Sequence, residues 1–370
     1  MWTAHLFQTT TGRIGPKLNY ESVDWSIELN GTESINLKLR KSDLPKVDYK
    51  YWLSPWWAGV VLLWNNQPIV AGPLIVRPSE SFEFVTIGCG GIRSILAKRL
   101  VAKDLSDIGW AGFNTDLLTY SGLSLGTIAK RVVAACQQKK GGQLPISYAL
   151  EDMVGGHERN YKSFNVSNIS GDDVLTKLSN VIGGPDIMFR PRLLRPDLLT
   201  FDLWTGTDAQ PRIYQQYSPV WDTTPSKGMV SNVNVIVTGT YQTSRVYATG
   251  AGQDEGTLIQ VVTDETLLQQ EYPLLETVVN EGSSENPDVV MGHALSGLDT
   301  NNGPLLEIQM TVRTDGVIPL GTFWPGDLVE IVTKGWLSLP DGANRMRLLS
   351  ITGDHTNNVK ISLQKEDKFA

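Results

Sequence analysis

The sequence predicts a β-rich α+β fold, and three observations support this prediction. Short stretches of alternating apolar and polar residues fill the first ninety positions and return after residue 230, as is typical of half-buried strands. Helical spacing of apolar residues is confined to a few segments, most of them between residues 92 and 182. The chain has 370 residues, of which 41% are hydrophobic, and this is enough for sizeable cores in two or three domains.

The first ninety residues predict the closely spaced strands of a barrel or sandwich. Ile35, Leu37 and Leu39 alternate with polar residues and therefore share one face of a strand. A short polar turn at 65–67 separates two apolar runs, and this pattern predicts a hairpin. The predicted strands are 2–8, 23–29, 35–40, 58–64, 68–76 and 82–87.

The middle of the chain is predicted to be mixed. Ser124 can cap a helix over 124–140, in which Leu125, Ile128 and Val132 form an apolar stripe. Other elements predicted for this part are helices at 92–100 and 171–182, and strands at 186–189 and 199–204 that are joined by a loop rich in arginine and proline.

From residue 230 the pattern returns to β, with one helix inserted. The predicted elements are strands at 230–237, 244–249, 258–263, 305–314, 328–333, 346–353 and 359–365, and a helix at 287–298. Trp57-Ala58-Gly59 and Trp324-Pro325-Gly326 each introduce a β run. This shared pattern is a weak sign of an internal repeat.

Composition excludes several classes of ligand and cofactor. The net charge is −7, which disfavours nucleic acid because binding phosphates needs clustered lysine and arginine. The longest apolar run, 56–64, is far shorter than the ~20 residues that a membrane-spanning helix needs. Cys89 and Cys136 are expected to be buried thiols of a chain made in a reducing cytoplasm. The four histidines are isolated along the sequence, so we expect no metal site and no cofactor.

Two motifs suggest chemistry, and each has a structural alternative. Gly122-Leu123-Ser124-Leu125-Gly126 matches the GxSxG pattern that exposes a nucleophilic serine in hydrolases. We expect Ser124 to cap a helix instead, because the chain lacks the alternating β–α units beneath such a turn. Gly88-Cys89-Gly90-Gly91 is similar to a dinucleotide loop, but Arg93 occupies the position of the third glycine, so a tight strand-to-helix turn is expected. We therefore predict no catalytic residue.

Tryptophans are concentrated between residues 52 and 64. Aromatic residues are enriched in the cores of interfaces. Trp56 and Trp57 are adjacent, so in an extended strand they face opposite sides. One of them would then be buried in the fold and the other would contact a partner, which makes this pair a possible interface. An ordinary place in the core is the alternative.

A series of short motifs follows in order along most of the chain. They are Val23-Asp24-Trp25, Leu29-Asn30-Gly31, Val70-Ala71-Gly72-Pro73-Leu74, 88–100, 124–140, Leu144-Pro145-Ile146, Arg159-Asn160-Tyr161, Gly183-Gly184-Pro185-Asp186-Ile187, Tyr272-Pro273-Leu274-Leu275-Glu276, Gly326-Asp327, Leu339-Pro340-Asp341-Gly342 and Arg347. In this order they resemble the minor tail proteins of siphophages that infect Gram-positive hosts, particularly actinobacteria, which are tail-tip or baseplate hub proteins. The positions carried over as family-pattern residues, with a structural role, are Arg159, Tyr161, Gly184, Pro185 and Asp186.

The resemblance implies a fold with two barrel-like β domains and inserted mixed α/β segments. The implied domains are an N-terminal barrel-like domain (1–90), a mixed α/β domain whose last strands can return to the first barrel (91–229), and a C-terminal barrel-like domain with an inserted helix (230–370). Hubs of this family form trimeric rings that close the tail tube.

The resemblance also implies the partners and the location. The partners are the distal tail protein, the tape-measure protein and other minor tail or receptor-binding tip proteins, with no specific nucleic acid and no membrane span. The implied location is the tail tip of the virion, after synthesis in the cytoplasm of the host bacterium. The alternatives are a serine hydrolase of host cell wall or envelope that uses Ser124, and a receptor- or carbohydrate-binding tail module.

Overall fold

The computed structural model describes residues 1–44, 48–102, 117–150, 153–162, 169–213, 215, 217–225, 228–280 and 284–365. Strands dominate these residues and helices are few, so the predicted β-rich α+β class is confirmed.

The N-terminal part contains every strand predicted for it. Its elements are β1 (Trp2–Gln8), β2 (Ile14–Leu18), β3 (Ser22–Glu28), β4 (Ser34–Arg40), α1 (Tyr49–Trp52), β5 (Ala58–Trp64), β6 (Gln67–Glu80), β7 (Phe84–Gly90) and α2 (Arg93–Leu96). Asn65 and Asn66 close the β5–β6 hairpin with φ angles of 50° and 66°, the left-handed values that such a turn requires. The helix predicted at 92–100 is shorter than expected, because only Arg93–Leu96 is helical.

The middle of the chain contains more strand than predicted. Its elements are β8 (Leu117–Leu123), α3 (Leu125–Gln137), β9 (Ile146–Ser147), β10 (Val154–Lys162), α4 (Gly171–Ser179), β11 (Ile187–Arg195), β12 (Leu198–Thr205) and β13 (Val220–Asp222). The prediction of a loop rich in arginine and proline between these two strands is wrong, because β11 and β12 continue through that segment as a hairpin. Pro191 lies opposite Phe201 within this hairpin, and Arg192 forms a cross-strand ion pair with Asp202.

The C-terminal part returns to β, as predicted. Its elements are β14 (Val230–Thr238), β15 (Arg245–Thr249), β16 (Ile259–Thr263), α5 (Glu265–Gln269), β17 (Glu276–Asn280), α6 (Pro287–Asn301), β18 (Leu305–Arg313), β19 (Leu328–Thr333), β20 (Gly342–Gly353) and β21 (Asn358–Lys365). Helix α6 belongs to a larger unit than the predicted single inserted helix. It packs on the sheet β16-β15-β17, and this small unit is inserted in the chain between the paired strands β14 and β18.

One sheet, here called the main sheet, unites the two ends of the chain. Its order is β14-β18-β21-β20-β3-β4-β7-β6-β5-β1-β2, and β19 and β13 branch from β20. The join is the antiparallel pair β20–β3, in which Ile351 lies opposite Ile27. Among the described strands this order is an open path and not a closed barrel. The largest hydrophobic core follows the main sheet and combines residues from both ends of the chain, such as Trp25 and Leu348.

The middle part builds a second core on one side of this sheet. Helix α3 packs against α4 and β12, and its buried residues include Ile128, Val132 and Val133. Phe7 and Val61 of the N-terminal strands also belong to this core, and the ring centroid of Phe7 lies 6.1 Å from that of Phe201. The mixed segment is therefore packed directly onto the main sheet.

Candidate functional site

A polar cluster, buried at Arg93 and Asp186 and partly buried elsewhere, connects the N-terminal strands, the mixed segment and the C-terminal strands. We call it the junction cluster and define it as Asn30, Arg93, Asp172, Asp186 and Arg347. Buried charges of this kind persist only when they are paired and hydrogen-bonded. The cluster therefore fixes how the three parts of the chain meet.

Asp186 is the centre of the junction cluster. It follows Gly183-Gly184-Pro185 directly and precedes β11, and it is 4% exposed. Its carboxylate forms an ion pair with Arg347 of β20 and accepts a hydrogen bond from the backbone N of Ile213 at 2.8 Å. Burial raises the pKa of Asp186, and the charge of Arg347 partly offsets this effect.

Asn30 connects Asp186 with the other arginine of the cluster. It lies in the β3–β4 turn at a φ of 57°, a left-handed conformation that asparagine tolerates. Its side chain donates to Asp186 at 3.4 Å and accepts from the backbone N of Ile187 at 2.7 Å. Its backbone oxygen accepts a hydrogen bond from Arg93.

Arg93 connects α2 to α4 from inside the protein. Its side chain is 2% exposed, forms an ion pair with Asp172, and donates to Thr176 Oγ1 at 2.6 Å. Asp172 also stands in the first turn of α4, where a negative charge interacts favourably with the helix dipole.

The junction cluster brings together motifs that are far apart in the sequence. Asn30, Asp186 and Arg347 each belong to a stretch that carried the family resemblance, and Gly326 N bonds to Leu348 O beside Arg347 at 2.7 Å. The sequence did not predict the ion pair between Arg93 and Asp172, because a pair 79 positions apart leaves no local pattern. The structural role of Asp186 itself stays a prediction.

Glu33 is a buried acid beside the junction cluster. Its side chain is 6% exposed, and its Oε2 has no hydrogen-bond partner among the described residues. Burial raises the pKa of Glu33 to about 7, with the nearby charge of Arg93 acting in the opposite direction.

We expect Glu33 to make stability depend on pH. The folded state retains a proton that the unfolded chain releases near pH 4.5, so the free energy of unfolding falls as pH rises from there through about 7. The full loss is roughly 3 kcal/mol. Glu33→Gln removes this slope and raises stability at pH 8, as urea unfolding between pH 5 and 8 will measure. Glu83→Gln, on the surface, is the control. If the free energy of unfolding of Glu33→Gln depends on pH in the same way as that of the native protein, the expectation is contradicted.

A second polar contact joins the mixed segment to the C-terminal strands. Asp327 is 1% exposed and accepts hydrogen bonds from the backbone N of Trp324 at 2.7 Å and from Gln215 Nε2 at 2.6 Å. Arg190 of β11 lies with its guanidinium carbon 4.6 Å from the ring centroid of Trp204 and 5.4 Å from that of Trp324. Burial lowers the pKa of Arg190 to about 10, and the charge of Asp327 opposes this shift.

The other family-pattern residues lie outside the junction cluster or next to it. Gly184 and Pro185 follow α4 and lead into Asp186, and a Cβ at Gly184 would come within 2.4 Å of the Ser179 carbonyl oxygen. Arg159 and Tyr161 lie in β10. Tyr161 belongs to the second core, with its ring centroid 6.1 Å from that of Tyr120.

Trp56 and Trp57 lie in the turn before β5. The expectation that they alternate along an extended strand is wrong, because Trp56 has a φ of 66°. Trp56 is 37% exposed, whereas Trp57 packs against Trp52 with ring centroids 5.2 Å apart. The assignment of this pair to an interface stays a prediction.

Ser124 is the N-cap of α3. Its Oγ accepts a hydrogen bond from the backbone N of Thr127 at 3.1 Å and donates to Thr127 Oγ1 at 3.0 Å, and the residue is 2% exposed. Near this cap, His157 Nε2 lies 3.3 Å from Asp208 Oδ2. The Asp208 carboxylate also accepts a hydrogen bond from the backbone N of Leu125, so it supports the N-terminal end of α3 as well. This geometry favours the capping role over a nucleophile.

Ser124→Ala is expected to lower stability without removing a hydrolytic activity. Loss of a serine N-cap costs about 1 kcal/mol. Thermal unfolding measures the loss, with Ser42→Ala, on the surface, as the control. Any esterase or peptidase activity of the chain should be the same in both variants. Activity that disappears in Ser124→Ala alone would support the hydrolase alternative.

The described residues contain no group of three or more histidine, cysteine, aspartate or glutamate side chains that could hold a metal ion. In the same part of the chain, no helix is both long enough and apolar enough to cross a membrane. Burial raises the pKa of the free thiols Cys89 and Cys136 to about 12 and about 11.

Two solved structures with a similar fold are tail proteins. A tail protein from Neisseria meningitidis MC58 is similar with a TM-score of 0.57 and 13% identity, covering 99% of this chain and 97% of that chain. The 43 kDa tail protein of prophage MuSo2 from Shewanella oneidensis is similar with a TM-score of 0.57 and 11% identity, covering 98% of each chain. The chain has the fold of phage tail proteins.

Likeness to this phage tail fold was predicted from the sequence and is confirmed. A chain of the Francisella PdpA-VgrG complex is also similar, with a TM-score of 0.52 and 9% identity, and this chain covers 53% of it. No family model matches the sequence, and no curated protein is significantly similar to it.

Proposed function

We propose that this chain is the structural hub protein at the tail tip of a phage with a long non-contractile tail. The observation that carries the proposal is the likeness of fold to two phage tail proteins over almost the full length of all three chains. The proposed role contains no enzymatic step. The protein acts mechanically, by closing the tail tube and by connecting the tail to host-binding tip proteins.

The proposed hub is a homotrimeric ring. Each chain contributes two β-rich parts, 1–90 and 230–370, with the mixed part 91–229 between them. Three chains then place six β-rich parts around the axis, which would match sixfold tail rings above to a threefold tip below. The Trp-x-Gly pattern at Trp57 and Trp324 supports a duplication of this kind. A net charge of −7 suits a lumen through which DNA passes without being held.

Such a hub needs partners on three sides and rigidity within each chain. The proposed partners are the distal tail protein above, the tape-measure protein inside and receptor-binding tip proteins below, with Trp56 as an exposed contact. Rigidity comes from the junction cluster and from the pair β20–β3, because these hold the parts of the chain in one arrangement.

The mass of the purified chain tests the ring. Mass photometry of the chain alone is expected to find a particle of about 122 kDa, three times the mass of the 40.8 kDa chain. If assembly needs the distal tail protein, the particle that forms after its addition should contain three copies of this chain and be heavier than about 122 kDa. A monomer of about 41 kDa in both conditions would contradict the proposed ring. Binding of the isolated chain to host cells would instead favour the receptor-binding alternative.

A further inference from the structure

Strand β14 ends the main sheet on an edge that pairs with no other strand among the described residues. It is nine residues long, it bonds to β18 on its inner side, and it is the last strand in the order of the sheet. No charged residue occurs from position 228 to position 244, and β14 contains no proline. An edge of this kind offers a row of backbone N–H and C=O groups to which another strand can bond.

The other open edges of the main sheet are protected. Strand β2 contains Pro16 and Lys17, and the backbone N of Ile14 on its outer side bonds to Asp197 O at 2.9 Å. The outer half of β6 contains Pro78, and β13 has three residues only. Proline, charge and shortness each hinder strand addition. Strand β14 lacks all three.

The side chains of β14 indicate what would cover it. The regular part of the strand is 234–238, beyond a shift in register. Here Val235 lies opposite Ile308 and Val237 opposite Leu306, and both partners are buried in the largest core. Val237 is nevertheless 49% exposed, because the sheet ends beside it. A strand added at this edge would bury it.

We propose that an extended, uncharged segment of a second protein of the tail adds to β14 alongside residues 234–238. An extended backbone is the occupant because it alone pairs with a row of strand-edge donors and acceptors. Apolar side chains at alternate positions of the segment would continue the face of Val235 and Val237. The stretch without charge offers no partner to an acidic or basic tail.

The choice of a different protein rests on the proposed function. Pairing of β14 with the same strand of a second copy gives a twofold contact. Such a contact cannot connect neighbours around a threefold ring. A head-to-tail contact would need a second open edge, and the other edges of the main sheet are protected. The added segment therefore comes from another tail component.

Hydrogen exchange of the purified chain tests the proposal with a defined probe. The probe is a blocked seven-residue peptide, Thr-Val-Thr-Val-Asn-Val-Thr, and its control carries lysine in place of each valine. At saturating probe, those amides of 234–238 that face the open edge should exchange about tenfold more slowly, and the control peptide should have no effect.

Matched variants locate the effect on β14. Val237→Lys should remove the protection, whereas Val237→Thr, which keeps the branched side chain, should retain it. Val317→Lys is the control, because Val317 is also exposed (90%) but lies outside β14. Thermal unfolding confirms that each variant is folded.

Two results would overturn the proposal. One is the absence of protection at 234–238 at millimolar probe. The other is a concentration-dependent dimer of the native chain that Val237→Lys abolishes, since a second copy would then be the occupant. Neither result depends on whether mass photometry finds the 122 kDa particle. The proposed strand addition and the proposed ring can therefore fail independently of each other.

Discussion

Replacement of Arg347 by methionine should lower the free energy of unfolding by about 3–5 kcal/mol, because it leaves the carboxylate of Asp186 buried without its counter-charge. The two side chains are 17% and 6% exposed, so water screens the pair weakly. The same change should loosen the contact between β20 and the mixed segment. Urea unfolding measures the stability, and limited proteolysis measures the loosening.

Two further variants distinguish the contribution of the Arg347–Asp186 ion pair to stability from that of side-chain packing. Arg347→Met combined with Asp186→Asn should recover part of the loss, because the remaining group is neutral. Arg192→Met breaks the more exposed pair with Asp202 and should cost less than about 1 kcal/mol. An Arg347→Met protein that is as stable as Arg192→Met would show that the junction cluster does not hold the parts together.

Gly72→Ala should destabilise the main sheet by more than about 3 kcal/mol. Gly72 lies where β6 leaves β5 and begins to pair with β7. A Cβ at this position would be 1.7 Å from the carbonyl oxygen of Gly90 and 2.8 Å from the Cα of Gly91. These are backbone atoms, so no change of rotamer relieves the contact, and the strands themselves must separate.

Gly156→Ala is the matched control for this prediction. Gly156 also lies within a strand, β10, but a Cβ there meets no atom within 4 Å. Its replacement should change the free energy of unfolding by no more than about 0.5 kcal/mol. Equal thermal unfolding temperatures for the two variants would contradict the close approach of β6 and β7.

Local pattern was enough to predict many of the strands. The predicted bounds of β1, β5 and β19 agree with the structure to the residue, because alternating or continuous apolar residues mark each of them. Strand β10 was missed because Val154–Lys162 is polar, contains two glycines and has little apolar alternation. Strand β2 was missed because Pro16 and Lys17 interrupt its pattern.

The junction cluster could be predicted only in part. Asp186 and Arg347 stand in motifs of the family resemblance, but their ion pair joins positions 161 apart and depends on how the whole fold places them. Gly88-Cys89-Gly90-Gly91 was expected to be a tight strand-to-helix turn, whereas β7 continues to Gly90. The reason is its pairing with β4, in which Gly90 lies opposite Ser34, and no local pattern reveals this pairing. Pairing of β3 with β20 is equally non-local.

The position and copy number of this chain in a phage particle test the proposed hub most directly. Cryo-electron microscopy of intact tails should find three copies in a closed ring at the tail tip, with the main sheets arranged around the tube axis. Density for the chain along the tail shaft, in the head, or on peripheral fibres away from the axis would contradict the hub.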